Sequence, residues 1–449
     1  MSEQVTPDSV PANPFLRGSI SSVFMRTSLP IVFLTMVGGM LTVADAMLLG
    51  AFVGPDALAA VTIVFPLSML LVAMSTVVGS GMASILGRRL GARDIAAARD
   101  ALASAQGLAV LLGLAALALF LLCGGALVDR MAGGGSRHLA DPAWLFLAIS
   151  FAAAPVMFLL TVQSDALRSE GRVAFMAVAG VLLTLGNIAL NALLIGPFQL
   201  GVAGSALGTA LAQLLALLLI LAYRMAGNAV LPVVGFRFDR DWGEMLALGV
   251  PRSLSFIGLS LSSAAVLFAL HRLDLDNADA VVTAYGVNMR VMTFTFLPLM
   301  GMSLAVQAIV ANTAGAARAD RASATLRLAV VVSAVYGLAV QSVLSAAAGR
   351  LGGLFVDDAA VALEVGRIVP IQVAAYFAFG PVMMAASHAQ AVGQVRRAAV
   401  LSLGRTYLFA IPLTLVLPLL WGETGIWAAA PAADLAMLVL GALIWRRSR

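Results

Sequence analysis

The chain contains no lysine, so all 27 of its basic side chains are arginine. It has a single cysteine, Cys123, and three histidines, His138, His271 and His388, far apart in the sequence. A lone cysteine in an apolar run excludes a disulfide framework. With the histidines scattered, no metal-ligand spacing of the Cys/His kind remains. Charge is scarce too: Asp, Glu and Arg make up 11% of the 449 residues, where a soluble domain has about 25%. Near the start there is no small-residue cleavage site behind a short apolar core. Residues 1–27, with Glu3 and Asp8, read as a polar tail and not as a signal peptide.

What the chain has instead is apolar residues, 61% of the total. A water-soluble core cannot hide that excess, so the chain reads as an integral membrane protein. The runs are continuous and do not alternate, which favours helices over a barrel. Twelve runs lie near 28–53, 57–86, 98–125, 142–163, 172–196, 201–223, 245–270, 279–312, 324–348, 366–392, 398–420 and 425–445. The fold expected is all-α, with twelve transmembrane helices. Runs 57–86 and 279–312 exceed the roughly 20 residues a crossing needs, so they must tilt, bend or project into water.

The arginines orient the chain. Arg88, Arg89, Arg93 and Arg99 follow the second span, and Arg168 and Arg172 the fourth. Arg224, Arg237 and Arg240 follow the sixth, Arg318, Arg321 and Arg327 the eighth, and Arg396 and Arg397 the tenth. Arg446, Arg447 and Arg449 close the chain. The alternate loops are acidic: Asp56; Asp129 and Asp141; Asp274, Asp276 and Asp279; Asp357 and Asp358; Glu423. The positive-inside rule puts both termini in the cytoplasm. The net charge of +5 therefore reports topology in the cytoplasmic (inner) membrane, and a nucleic-acid partner is not expected. Lipids and small molecules are, with the chain acting as a monomer.

The chain also repeats itself. Gly91 corresponds to Gly315, Gly171 to Gly393, Gly201 to Gly422 and Pro30 to Pro251, at offsets of 224, 222, 221 and 221. Six spans per half is an even number, so both halves cross in the same sense, a parallel repeat. The domains expected are a tail over 1–27, a six-span lobe over 28–223, a polar linker over 224–244 and a second six-span lobe over 245–449. Two pseudo-symmetric lobes around a central cavity suggest rocking of one against the other.

The first span holds one charge, Asp45, at membrane depth. An unpaired carboxylate there costs roughly 2.5–3.5 kcal/mol on insertion scales and marks a functional position by default. Pro30, Gly38 and Gly39 in the same span weaken the helix and are hinge candidates. Asn187, Asn191 and Thr209 lie at a similar depth, about 12–14 Å below the acidic surface at ~1.5 Å per residue. Asn187 and Asn191 share a helical face. These three read equally as a site or as helix–helix glue. Asn288 and Gln307 read as cavity hydrogen-bonders or as glue, and Arg290 as a cavity candidate. Arg405 reads as a snorkelling side chain near a span end. The 20 methionines are mostly packing, some of them suited to a pliable cavity.

The stretches VADAMLLGAFVGPDALAAV, GSGMASILGRRLGARDIAAARDA, ALRSEGRVAFMAVAGVLLTLGNIALNALLIGPFQLGVAGSALGTALAQ, LGVPRSLSF, LPLMGMSLAVQAIVANTAGA and SLGRTYLFAIPL, in this order, resemble the multidrug and toxic compound extrusion (MATE) family. The resemblance covers nearly the whole chain and is strongest to the DNA-damage-inducible (DinF-like) branch. It implies a secondary multidrug exporter, exchanging amphipathic, often cationic compounds for protons by alternating access, and not an enzyme. It implies no cofactor, only a coupling ion, proton or sodium. It assigns the ion site to Asp45, Asn187, Asn191 and Thr209. The branch often has Asp where Asn191 stands, so this site carries one formal charge. The carboxylates that another branch uses in spans seven and ten are missing here. A lipid-linked oligosaccharide flippase of the same superfamily would need arginines along the first-lobe spans, and those have none at mid-membrane.

The orientation is testable with single cysteines. Replacements at Asp56, Asp276 and Glu423 should react with impermeant thiol reagents from outside the cell, and replacements at Arg93 and Arg318 should not. The opposite labelling pattern would overturn the twelve-span arrangement.

Overall fold

The computed structural model describes residues 13–446 apart from 54, 132–136, 239–240, 274–276 and 357. Glu3, Asp8, Arg240, Asp274, Asp276, Asp357, Arg447 and Arg449, named above, lie outside the described residues. The first half runs α1 (Ile20–Phe52), α2 (Pro55–Gly91), α3 (Ile95–Met131), α4 (Arg137–Ala152), α5 (Ala154–Ser169), α6 (Val173–Ile195) and α7 (Gly201–Met225). The second runs α8 (Trp242–Arg272), α9 (Ala278–Gly315), α10 (Ala319–Phe355), α11 (Ala359–Gln372), α12 (Tyr376–Ala391) and α13 (Val395–Leu403). A π-helical stretch (Gly404–Ala410), α14 (Ile411–Val416), α15 (Pro418–Trp421) and α16 (Glu423–Arg446) complete it.

Among the described residues ten helical segments are long and apolar enough to cross a membrane, and two bent pairs, each taken as one span, raise the number to twelve. The pairs are α4 with α5, bent by 48°, and α11 with α12, bent by 53°. Pro155 opens α5, and Pro370 precedes the break after α11. Proline lacks the N–H that would continue the ladder and crowds the turn before it. Leu121, Leu122, Leu215, Leu218, Leu338 and Leu419 are exposed on the outer faces, as lipid-facing residues are.

The two halves superimpose in sequence register. Helices begin at Ile20, Pro55, Ile95, Arg137, Val173 and Gly201 in the first half and at Trp242, Ala278, Ala319, Ala359, Val395 and Glu423 in the second. The offset is 222–224 residues throughout. The repeated glycines are backbone landmarks: Gly171 and Gly393 have φ of 80° and 82°, and Gly201 and Gly422 have 53° and 56°. Positive φ is costly for a residue with a Cβ, which favours glycine at these two turns; the turns after α2 and α9 instead place Arg93 and Ala317 there, at φ of 60° and 56°.

At the arginine-rich end the lobes touch through α1 with α9 and α2 with α8 and α9. The approach is close enough to exclude side chains. A Cβ on Gly81 would meet the Met245 carbonyl oxygen at 2.0 Å, and one on Gly249 the Val77 carbonyl oxygen at 1.8 Å. Gly315 stands in the same relation to the Arg88 carbonyl at 1.9 Å. Polar bonds tie this floor: Gln307 Nε2 donates to the Ser80 carbonyl at 2.9 Å and to Ser84 Oγ at 3.0 Å. Asn312 Nδ2 donates to the Ser169 carbonyl at 3.0 Å, and Arg89 pairs with Asp241 at 2.7 Å.

The segments read as tail and linker are docked. Within the expected tail, α1 already begins at Ile20, and Phe15 and Phe24 are buried. Asn13 Nδ2 donates to Asn312 Oδ1 at 2.7 Å, so apolar anchors and a polar bond hold residues 13–19 against α9. The linker lies on the first lobe. Buried Arg224 donates to Glu170 at 2.7 Å, to Gln163 at 2.6 Å and to the Leu231 carbonyl at 2.9 Å. Glu170 also accepts from the Val230 and Leu231 N–H groups at 2.8 and 3.3 Å. A buried arginine must fill its donors from protein, and the linker carbonyl serves that need.

Backbone-to-backbone contact at the floor predicts a position-specific response to one methyl group. Gly249→Ala should lower the melting midpoint of the purified protein, because backbone and not a flexible side chain must give way. Gly38→Ala, where a Cβ meets open space, should leave the midpoint unchanged or raise it, since alanine stabilises a helix by about 0.5–1 kcal/mol relative to glycine. Equal effects at both positions would contradict the close approach.

Candidate functional site

Helix α1 is unbroken from Ile20 to Phe52 and carries Asp45 near its acidic end. It packs between α6 of its own lobe and α9 of the other. Asp45 is half-buried and points toward α6, where Asn191 Nδ2 donates to its Oδ1 at 2.8 Å. The same amide donates to Asn187 Oδ1 at 3.0 Å, and Asn187 Nδ2 donates to Thr209 Oγ1 on α7 at 2.9 Å. The four residues therefore form one hydrogen-bonded row, Asp45–Asn191–Asn187–Thr209, across three helices. Asn187 is 2% exposed and Asn191 0%.

Local sequence explains the row. The i, i+4 spacing stacks the two asparagines on one face of α6. Gly208 on α7 lets that face in: a Cβ there would stand 2.0 Å from Asn191 Oδ1. That oxygen is buried and without a hydrogen-bond partner among the described residues. The row thus combines one carboxylate, a relay of amides and an unsatisfied acceptor oxygen. Chemically it can take up a proton on the carboxylate, or offer oxygens to a monovalent cation. Among the described residues there is no cluster of three or more His, Cys, Asp or Glu that would suit a resident metal.

The hinge candidates fall on α1 with distinct surroundings. Pro30 lies inside the helix. Gly38 faces open space, whereas a Cβ on Gly39 would meet Leu297 Cδ1 of α9 at 2.3 Å. Thr35 Oγ1 donates to the Leu297 carbonyl at 3.1 Å.

The second lobe encloses a pocket of about 340 Å³ between α8, α9, α12, the π-helical stretch and α16. Its walls are apolar and aromatic, with Phe256, Leu259, Met289, Met292, Phe296 and Phe379 among them. None of Asn288, Arg290 and Gln307 lines it. Asn288 is buried and donates to Gln372 of α11, so it joins helices. Gln307 belongs to the inter-lobe floor. Arg290 is exposed, seven residues from Leu297 and so on the α9 face that leads to α1.

Arg405 does not snorkel. It forms a salt bridge with Asp434, which is 2% exposed, and lies 4.6 Å over the Phe379 ring. The π-helical stretch sets it there, by widening the turn that begins at Gly404. Asp165 and Arg252 escaped the sequence reading, which took Arg168 only as a topology signal. Asp165 and buried Arg168 pair at 3.0 Å, and Arg168 Nη2 reaches Gln307 Oε1 at 3.4 Å. Arg252 lines the pocket beside them. The signals were present as an acid and an arginine three residues apart at the end of span four, and an arginine directly after Pro251 inside an apolar run.

Comparison with known proteins agrees with this architecture. The MatE family model matches residues 30–193 and 251–416, one segment in each half. A FAD transporter of Shewanella oneidensis is 26% identical over 94% of this chain and 93% of its own. The multidrug export protein MepA of Staphylococcus aureus is 23% identical over 96% and 95%. Among solved structures, an outward-facing multidrug resistance MATE transporter of the MOP superfamily superimposes with a TM-score of 0.88, at 21% identity over 98% of both chains. The chain is a multi-pass helical membrane protein that belongs to the MatE family of transporters.

Proposed function

We propose that the protein is a cation-coupled exporter of amphipathic, drug-like compounds, many of them cationic, and that Asp45 is its protonation switch. Membership of a transporter family and the multidrug export assigned to its relative MepA support the export reading. The observation that carries the switch is the row Asp45–Asn191–Asn187–Thr209. It holds a single carboxylate at membrane depth on the helix that also contacts the opposite lobe.

The coupling would work through the α1–α6 bond. With Asp45 ionised, the Asn191 amide donates to a charged acceptor, and such bonds are about twice as strong as neutral ones. Proton uptake from outside weakens that tie and removes the negative charge that attracts cationic substrate. Helix α1 is then freer to bend near Pro30 or Gly38–Gly39, narrowing the expected central cavity and driving substrate outward. Exchange follows only because the two protonation states favour different conformations. In this reading both termini are cytoplasmic, the exporter acts as a monomer in the inner membrane, and the lobes are residues 28–223 and 245–449. Sodium is the second candidate ion, favoured by the buried Asn191 Oδ1, which has no hydrogen-bond partner among the described residues.

Transport of ethidium in proteoliposomes separates these readings. An imposed proton gradient should drive export by the wild type, and a sodium gradient alone should not. Asp45→Asn should fold and insert, lose export and bind ethidium more weakly, while Asp45→Glu should keep part of the activity. Full export by Asp45→Asn under a proton gradient would overturn the switch. Asn191→Asp puts two carboxylates in one row, where they compete for protons, and should move the export optimum to higher pH.

In the second lobe, Leu259→Ala and Phe379→Ala should change the range of compounds exported more than the dependence on the driving ion. Loss of ion dependence with drug binding preserved would move the coupling site out of the first lobe.

A further inference from the structure

The second-lobe pocket carries charge that the switch at Asp45 does not use. Two guanidinium groups, Arg252 and Arg405, and one carboxylate, Asp434, line it. Asp434 is committed to Arg405, with a second bond from Arg405 Nη2 to Asp434 Oδ2 at 3.4 Å. Arg252 has no equivalent. Its hydrogen bond goes to Ser303 Oγ, at 3.4 Å, and no described carboxylate forms a salt bridge with it. The charges acting on it from α5 are Arg168 and Asp165, which are bound to each other at 3.0 Å. The described lining therefore holds one positive charge in excess, within walls of low dielectric constant.

A guanidinium has five N–H donors in a planar fork, and Arg252 uses one of them on a long bond. The ligand that would satisfy the rest is an oxyanion, which guanidinium binds in bidentate fashion. The remaining wall suits a flat apolar body: Phe256, Phe296 and Phe379 supply rings, and Met289 and Met292 supply adaptable surface. The volume of about 340 Å³ lies in the range of small-molecule sites.

We propose that this pocket binds amphipathic molecules that join a planar aromatic body to an oxyanion, with the oxyanion seated on Arg252 and the rings among the phenylalanines. The two lobes then select opposite charge, since the first presents a carboxylate and the second an under-satisfied guanidinium. The proposal rests on the exporter reading for the direction of transport and not for the binding itself.

Binding is therefore measured apart from transport, with the full chain in lipid nanodiscs, by fluorescence polarisation at pH 8 against empty discs. Fluorescein is the anionic probe and rhodamine 6G the cationic one of similar size. The wild type should bind fluorescein saturably, and Arg252→Gln should weaken that binding about tenfold or more. Arg252→Lys should recover most of it. Ser262→Trp, which fills the pocket from α8, should abolish it. Rhodamine 6G affinity should stay within about twofold in Arg252→Gln, as expected for a group that the cation does not touch. The proposal is overturned if the wild type does not bind fluorescein, or if Arg252→Gln and Ser262→Trp both leave its affinity unchanged. It is also overturned if Arg252→Gln weakens both dyes equally. Should Arg252→Gln fail to fold, the Ser262→Trp result decides. Intact, Arg252-dependent fluorescein binding in a protein that exports nothing would count against the exporter reading alone.

Discussion

A polar side chain at membrane depth has no water to fall back on, and every other feature of this molecule answers to that constraint. In the apolar core of a bilayer an unmade hydrogen bond costs several kcal/mol. The chain has few ionisable residues within its spans, and several of the described ones are placed against specific partners. Asp45 takes an amide from Asn191, Asp434 takes Arg405, Glu170 takes Arg224, and Asp165 takes Arg168. Three of these contacts join different elements, and the Asp165–Arg168 pair closes a turn within α5.

The lobes share a backbone and differ in chemistry. Their helices start at a constant offset and their left-handed glycine turns coincide, so one supersecondary plan has been used twice. The polar groups do not follow the repeat. The first lobe holds an unbalanced carboxylate met only by neutral amides. The second holds a balanced ion pair with a further arginine beside it. Like scaffolds thus carry different polar groups in the two halves.

The contact between the lobes is made by small residues. At the arginine-rich end glycines bring α2 onto α8 and α9 until backbone meets backbone, and Gln307 and Asn312 bond across the seam. Toward the acidic end, Val43, Met47 and Phe52 of α1 are exposed. The lobes are therefore closed at one end, and α1 continues past the closure to carry Asp45. A helix that contacts both lobes and bears Asp45 is placed to report the charge of that carboxylate to the other lobe.

Much was determined by the sequence alone. The length and continuity of the apolar runs required helices that cross a membrane, and the spacing of Gly91, Gly171, Gly201 and Pro30 with their partners required a repeat. The reason is that both are local properties: a run of apolar residues must avoid water, and glycine is favoured at left-handed turns such as those at Gly171 and Gly201, whatever surrounds them. The row of Asp45, Asn187, Asn191 and Thr209 was legible as four polar residues at one depth, but not as a bonded chain. Only the tertiary structure decided which oxygen meets which amide, because that depends on α1, α6 and α7 packing side by side. The same holds for Gln307, which bonds across the lobes at the floor, and for Arg405, which a π-helical turn directs onto Asp434. Pairings between residues 29 to 227 positions apart depend on where distant helices meet, and no local pattern records that.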